Sequence, residues 1–198
     1  MMVSLPRDRS GNLLLWDTSS GGASWRMKGV HAGHVTALAW FDDGGGGGGL
    51  AGCFVSGGQD GVLRAWDPRA RANVAKVPLH VNEQGRGAVG DIIAGGAATG
   101  GLVATAGADG TARSLDPRMG FALVHTVRLT DFPYSMTAAG GLAVVGCGDG
   151  SIHFIDISRG RTLYALGANR AAVRCLEASA DRLLASGDDG KAVLYTFT

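Results

Sequence analysis

Short apolar segments alternate with glycine- and aspartate-rich turns along this chain of 198 residues. Each apolar segment is about five to eight residues long, is rich in Val, Leu, Ile and Ala, and lacks the spacing of an amphipathic helix. Segments of this length between turn signals are typical of β-strands that are buried on both faces. The pattern predicts 17 strands, at 12–17, 24–30, 35–41, 51–56, 62–67, 73–79, 88–94, 102–106, 111–115, 122–129, 134–139, 142–146, 151–156, 162–166, 172–178, 182–186 and 191–197.

One string of residues recurs along this pattern with a period of 40 to 50 residues. Its fullest copy is FVSGGQDGVLRAWDPR at 54–69, and weaker copies are GADGTARSLDPR, CGDGSIHFID and GDDGKAVLYT. The repeats end near residues 17, 67, 116, 156 and 196. A period of this length with an aromatic–acidic pair at its end is the sequence signature of a β-propeller blade. The predicted fold is therefore all-β.

The predicted strands fall into sets of four, which we label a to d from the centre of a propeller outward. Their order along the chain is c–d, then three complete a–b–c–d sets, then a–b–c. This order predicts one propeller domain over 1–198, with about four to five four-stranded antiparallel blades and a ring that is incomplete or open.

The motifs of the first complete repeat resemble those of the WD-repeat (WD40) family. They are Gly33 with His34, then Ser56, Asp60 and Trp66. The resemblance implies a structural tetrad in which Asp60 holds His34, His34 holds Ser56, and Ser56 accepts a hydrogen bond from the Trp66 indole. Polar groups packed between sheets have to pair, because an unpaired one costs about 1–3 kcal/mol.

The later repeats depart from the family pattern. The second complete repeat keeps Thr105 and Asp109, but Leu115 stands where tryptophan is expected and no Gly-His pair precedes it. The third keeps only Asp149 of the tetrad, and the last has Asp189 with Tyr195. We therefore expect one blade with the full network and apolar packing in the others.

The resemblance also bears on the number of blades. Propellers of this family usually have seven blades, which need 28 strands, so 11 strands are expected to be missing before residue 12. The alternative is that 23–30 closes onto the last blade in a four-bladed ring. An open arc exposes strand edges and the faces of its end blades, so it should self-associate or need a partner.

The end of the string at 54–69 resembles the box of WD-repeat substrate receptors of cullin-RING ubiquitin ligases. Asp67-Pro68-Arg69 recurs as Asp116-Pro117-Arg118 in the next repeat. The resemblance implies that Arg69, and by repetition Arg118, contact the damaged-DNA-binding adaptor of those ligases. The alternative is that each Asp-Pro-Arg turns the chain from strand c to strand d and leaves the arginine in solvent.

Composition narrows the partners. The formal net charge is +1 and the 18 basic residues are spread along the chain, which predicts binding of neither nucleic acid nor membranes. No apolar stretch is long enough to span a membrane and no signal peptide is recognisable, so the cytoplasm is expected and the nucleus is left open. Cys53, Cys147 and Cys175 are expected to be buried reduced thiols.

The sequence offers little catalytic chemistry. The histidines lack metal-ligand spacing, and the Gly44–Gly49 run is interpreted as a flexible loop because no GK[ST] motif follows it. Asp91, Tyr134 and Glu177 are the polar exceptions on the predicted a strands and are too scattered to indicate an active site. We therefore expect a protein–protein interaction scaffold without cofactor, metal or enzymatic activity, the ligase receptor as the alternative, and a propeller-based enzyme as a less favoured one.

Overall fold

The computed structural model describes residues 2–4, 10–41, 50–81, 87–96 and 99–197, and the Gly44–Gly49 run lies outside these ranges. The described residues form 18 strands and no α-helix. The strands are β1 Met2–Ser4, β2 Leu13–Trp16, β3 Ala23–Met27, β4 Val35–Trp40, β5 Phe54–Gly58, β6 Val62–Asp67, β7 Ala72–Pro78, β8 Val89–Ala94, β9 Val103–Gly107, β10 Thr111–Asp116, β11 Ala122–Arg128, β12 Pro133–Ala139, β13 Leu142–Cys147, β14 Ser151–Asp156, β15 Arg161–Gly167, β16 Val173–Ala178, β17 Arg182–Gly187 and β18 Ala192–Thr196. A single 3-10 turn covers Pro117–Met119.

The strands form five antiparallel sheets, which we number 1 to 5 in chain order. Sheet 1 is β1-β2-β3, sheets 2 to 4 are β4–β7, β8–β11 and β12–β15, and sheet 5 is β16-β17-β18. All 17 predicted strands are present. Strand β1 was not predicted because three residues are too short to show alternation. It pairs with β2 and gives sheet 1 three strands instead of two.

The four-bladed alternative is wrong. Strand Ala23–Met27 pairs with Leu13–Trp16 in sheet 1, so it is not available to complete sheet 5. The contacts between sheets follow chain order, and strands β4, β8, β12 and β16 contact each other in that order as the innermost strands. Each of these four strands has an irregularity after its first residue, which increases the local twist.

Apolar packing joins each sheet to the next. We call the face turned toward the following sheet the forward face, and the opposite one the backward face. In sheet 2, Val55 and Ala65 on the forward face share a buried cluster with Leu115 of sheet 3. Trp66, on the backward face, packs with Leu13 and Leu15 of sheet 1. Burial of one such side chain contributes roughly 1.5–3 kcal/mol, so these contacts hold the sheets together as blades.

Four apolar clusters join sheets 1 and 2, 2 and 3, 3 and 4, and 4 and 5. Among the described residues no such cluster joins sheet 5 to sheet 1. The structure is thus an arc of blades in chain order, as an open propeller requires.

The cysteines only partly follow the sequence-based expectation. Cys53 and Cys147 are buried, and burial raises the pKa of the Cys147 thiol to about 12. Cys175 on β16 is exposed, so its predicted burial is wrong. The physical reason is that sheet 5 has no following sheet among the described residues to cover it.

Candidate functional site

A chain of hydrogen bonds crosses sheet 2 from its interior to its edge. The Trp66 indole donates to Ser56 Oγ over 2.9 Å, and Ser56 Oγ lies 2.8 Å from His31 Nε2. His31 Nδ1 lies 2.9 Å from Asp60 Oδ1. Ser56, Asp60 and Trp66 therefore stand where the sequence placed them, but the histidine of the tetrad is His31 and the prediction of His34 is wrong.

The backbone explains why His31 takes this position. The amides of Val30 and His31 donate to the Gly11 carbonyl of sheet 1, which holds the loop before β4 over the Asp60 turn. The His34 carbonyl instead accepts a hydrogen bond from the Gln59 amide, so His34 already continues the β4–β5 pairing. A change of three residues along the HAGH segment therefore separates a network member from a residue at the start of the strand.

Sheet 3 contains a second network that sequence reasoning missed. His80 Nδ1 lies 2.8 Å from Asp109 Oδ1, and His80 Nε2 lies 2.9 Å from Thr105 Oγ1. Arg113 adds a 2.7 Å hydrogen bond to the second oxygen of Asp109. Leu115 occupies the tryptophan position, so this network has three members. The expectation that sheet 3 relies on apolar packing alone is wrong.

A spacing in the sequence would have revealed both histidines. Each lies 29 residues before the aspartate that it contacts, His31 before Asp60 and His80 before Asp109. The same loop position carries a smaller polar residue in sheet 5, where the Asn169 side-chain amide donates to Asp189 over 2.7 Å. The repeated feature is a polar side chain that reaches from the loop before a sheet to the Asp-Gly turn of that sheet.

Protonation follows from these partners. Burial opposes ionisation of Asp109, but the hydrogen bonds from His80 and Thr111 outweigh it and lower the pKa of Asp109 to about 2. Burial lowers the pKa of His31, against the opposing effect of Asp60. A neutral His31 donates from Nδ1 to Asp60 and accepts at Nε2 from the Ser56 hydroxyl, which leaves Ser56 Oγ to accept from Trp66.

We expect acid to destabilise the fold in two windows. The folded-state pKa of His31 is lowered below 6.5, so the unfolded state binds the extra proton and stability falls as the pH drops below about 6.5. Burial lowers the pKa of His153 in the same direction. Asp109 stabilises the fold above its unfolded value of 3.8, and this contribution is lost between 3.8 and about 2.

Urea midpoints measured from pH 8 to pH 2.5 test this expectation. His31→Ala should flatten the profile just below pH 6.5 relative to the wild type. A wild-type stability that stays constant or rises from pH 7 to pH 5 would contradict it.

Two exposed arginines stand at the turns that follow the third strands of sheets 2 and 3. Arg69 binds Asp67 through Nε and Nη2, at 3.0 and 3.1 Å. Arg118 binds Asp116 through the same two nitrogens, each at 2.9 Å. The hydrogen bonds of the arginines lower the pKa of both carboxyls. The two guanidinium groups are 64% and 71% exposed, so each is oriented by its own aspartate and open to a partner.

Adjacent sheets bring these turns to one side of the molecule. In an antiparallel sheet of four strands, the turns after the first and third strands lie at the same end. The rings of Phe41, which follows β4, and Phe121, in the turn after β10, lie 6.1 Å apart. Hence these ends of sheets 2 and 3 meet, and we call the pair Arg69 and Arg118 the arginine edge.

A groove of about 340 Å³ opens at the same ends of the innermost strands. Its lining is mainly apolar and includes Trp40 of β4, Ile93 of β8 and Met136 of β12. Trp40 is partly exposed there and packs on Phe54, with ring centroids 5.3 Å apart. One side of the arc thus combines an apolar groove at its inner strands with oriented cations at its outer turns.

The polar residues of the innermost strands have separate partners. Asp91 accepts hydrogen bonds from the Ile92 and Met136 amides, and burial raises its pKa. Tyr134 lies under the Arg174 guanidinium, 4.0 Å from the ring centroid, and Glu177 is exposed. Within the described ranges, no group of three or more His, Cys, Asp or Glu side chains is arranged to hold a metal ion. The same residues include no helix that could span a membrane.

Comparison with known proteins identifies the repeat. The family model described as "WD domain, G-beta repeat" matches residues 25–67, which contain His31, Ser56, Asp60 and Trp66. This is a WD-repeat protein. WD-repeat domains generally serve as protein-interaction scaffolds, and sheets 3 and 4 of this one repeat the four-stranded topology of sheet 2.

Solved structures support the fold. Two computationally designed proteins with propeller-like folds, Ika8 and Ika4, are each 20% identical to the WD-repeat protein. It superposes on Ika8 with a TM-score of 0.75, over 98% of its own length and 55% of that chain. It superposes on Ika4 with a TM-score of 0.66, over 85% of its own length and 94% of that chain. A search of the curated proteins gave no match.

Proposed function

We propose that this WD-repeat protein is a non-enzymatic scaffold that binds other proteins through the arginine edge and the adjoining groove. The observation that carries the proposal is the division of its polar groups. The His, Asp, Ser and Thr side chains of the two networks satisfy one another inside the sheets. The arginines, in contrast, are exposed and held in fixed orientations by their own aspartates.

The chemistry of the arginine edge suits a protein partner. A guanidinium offers a planar set of N–H donors that matches carboxylates and backbone carbonyls. Each pair with aspartate uses Nε and Nη2, so Nη1 lies outside these bonds. An arginine that is oriented before binding loses less conformational entropy when it docks. Exposed apolar side chains such as Trp40 in the groove provide area that a partner can bury.

A more specific function is that of a substrate receptor of a cullin-RING ubiquitin ligase. The observation in its favour is that two Asp-Pro-Arg turns in adjacent sheets have the same side-chain pairing, Asp67 with Arg69 and Asp116 with Arg118. Two identical contacts at neighbouring positions would bind one adaptor surface together. We propose the damaged-DNA-binding adaptor as the protein that they contact.

Binding to the purified adaptor tests the receptor function. We expect Arg69→Ala and Arg118→Ala each to weaken binding about tenfold or more, and the double variant to abolish it, because arginines at interface centres carry much of the affinity. Arg159→Ala is the matched control, since Arg159 is 70% exposed and pairs with Asp156 in the corresponding turn of sheet 4, but without the proline. Equal binding by wild type and double variant, or no binding by either, would remove the receptor function.

The scaffold function has a separate test. Proteins recovered with the wild type from cell extract are compared with those recovered by Arg69→Ala/Arg118→Ala and by Arg159→Ala. Partners retained by the control and lost by the double variant support the arginine edge as the docking surface. Identical recovery with all three proteins would contradict it.

A further inference from the structure

Sheet 5 exposes the face that every complete sheet of this chain buries. Five residues before and five residues after the turn aspartate, the second and third strands carry a directly paired set of forward-facing residues. In sheets 2 to 4 these residues are Val55 with Ala65, Ala104 with Ser114 and Val144 with Phe154, all 0–2% exposed. In sheet 5 the pair is Leu184 with Leu194, which are 46% and 57% exposed.

The composition of this face is that of an interior surface. Leucines occupy both paired positions, and the exposed Cys175 lies beside Ser186 on the neighbouring strand pair. Apolar side chains that are directly paired on a sheet face and open to water are unfavourable unless another surface covers them. We call this patch the open forward face (Cys175, Leu184, Leu194).

The opposite end of the arc carries the complementary surface. Leu13 and Leu15 of β2 pack forward onto sheet 2, so the alternating residues Leu14 and Trp16 lie on the backward face of sheet 1. Trp16 stands at the position of Trp66, Leu115 and Ile155, the residue before the last residue of the third strand. In sheets 2 to 4 that residue packs on the preceding sheet. Sheet 1 has no preceding sheet among the described residues.

We propose that a second copy of the chain covers the open forward face. The Leu184–Leu194 surface of one copy packs on the Leu14–Trp16 surface of the other, and the reciprocal contact closes a ring of two chains. The contact repeats the forward-to-backward packing that the chain already makes between its own sheets. The length of the arc agrees with two copies, because the chain spans 55% of the propeller-like protein Ika8.

The contact is head-to-tail, which distinguishes it from a symmetric contact between two identical faces. Each interface uses one forward and one backward surface, so damage to either surface alone breaks both interfaces of the ring. A mixture of one chain with a damaged forward surface and one with a damaged backward surface retains one intact interface. Only the head-to-tail arrangement predicts this rescue.

Light scattering coupled to size-exclusion chromatography tests the proposal. We expect the wild type at about 40 kDa, twice the chain mass of 20.2 kDa. Leu194→Asp and Leu14→Asp should each give the single-chain mass, and their equimolar mixture should restore the double mass. Leu123→Asp is the control, because Leu123 is 51% exposed on the outer strand of sheet 3. It should leave the double mass unchanged.

Circular dichroism of each variant establishes that its sheets are folded. A wild type of single-chain mass, or an open-ended series of larger assemblies, would overturn the proposal. So would a folded Leu14→Asp variant that keeps the double mass, since a symmetric contact of two forward faces would then be the better account.

Discussion

Replacement of His31 by alanine lowers the free energy of unfolding by about 3 kcal/mol, and the same replacement of His34 changes it by less than about 0.5 kcal/mol. His31 is buried and contacts both Asp60 and Ser56. Its removal leaves the buried Ser56 hydroxyl without its acceptor and Asp60 without its main hydrogen-bond donor. Loss of one member of a buried network is costly because the remaining members stay desolvated.

Urea unfolding of the two variants measures this difference. His34 is the matched control because it lies in the same HAGH segment and is only half-buried. A cycle with Ser56→Ala adds a test of the network, since the double variant His31→Ala/Ser56→Ala should lose less than the sum of the two single losses. Equal losses for His31→Ala and His34→Ala would show that His31 does not hold sheet 2 as described.

Replacement of Gly107 by alanine has an effect of similar size on sheet 3, about 3 kcal/mol. A Cβ atom at Gly107 would overlap the imidazole ring of His80, which is fully buried. The ring would have to move away from Asp109 and Thr105, so the strain of overpacking adds to the loss of the network. The backbone of Gly107 is not in the left-handed region, so the penalty arises from the contact with His80.

Two further variants isolate that cause. Gly167→Ala is the control, because no atom lies within 4 Å of the position that its Cβ would take, and we expect unchanged or slightly increased stability. In a His80→Ala background, Gly107→Ala should cost little because the clashing ring is absent. If Gly107→Ala is tolerated in the wild type, or costs the same without His80, the close packing of histidine on glycine is not what stabilises this turn.

The strands were predictable from the sequence because their signals are local. Asp-Gly turns such as Asp60-Gly61 end apolar segments that are long enough to show their pattern, and all 17 predicted strands exist. Strand Met2–Ser4 was missed because three residues carry no pattern, and its existence depends on pairing with β2. The order of strands within sheets followed from short connections between antiparallel neighbours.

The polar network was only partly predictable, because it depends on how loops between sheets are held. Two histidines in HAGH satisfy the dipeptide pattern equally from a chemical viewpoint, and the Gly11 carbonyl of another sheet decides between them. His80 has no glycine before it and was therefore overlooked, although its distance from Asp109 along the chain equals that of His31 from Asp60. Spacing to the turn aspartate was the more physical criterion.

Exposure of individual side chains was beyond sequence reasoning, because it depends on which sheets have neighbours. Cys175 has the local sequence of a buried strand residue, but it lies on the last sheet of the arc. Likewise, the Asp-Pro-Arg motif indicated a turn with an arginine. It did not indicate that the aspartate before the proline would bind that arginine through two nitrogens.

The central claim of this account is that buried networks hold the blades while the arginine edge binds partners. The most direct test measures partner binding and melting temperature together for Arg69→Ala/Arg118→Ala. We predict an unchanged melting temperature with loss of binding, because both arginines are exposed and contact their own aspartates. Binding that persists in the double variant, or that is lost only together with a lowered melting temperature, would contradict the account.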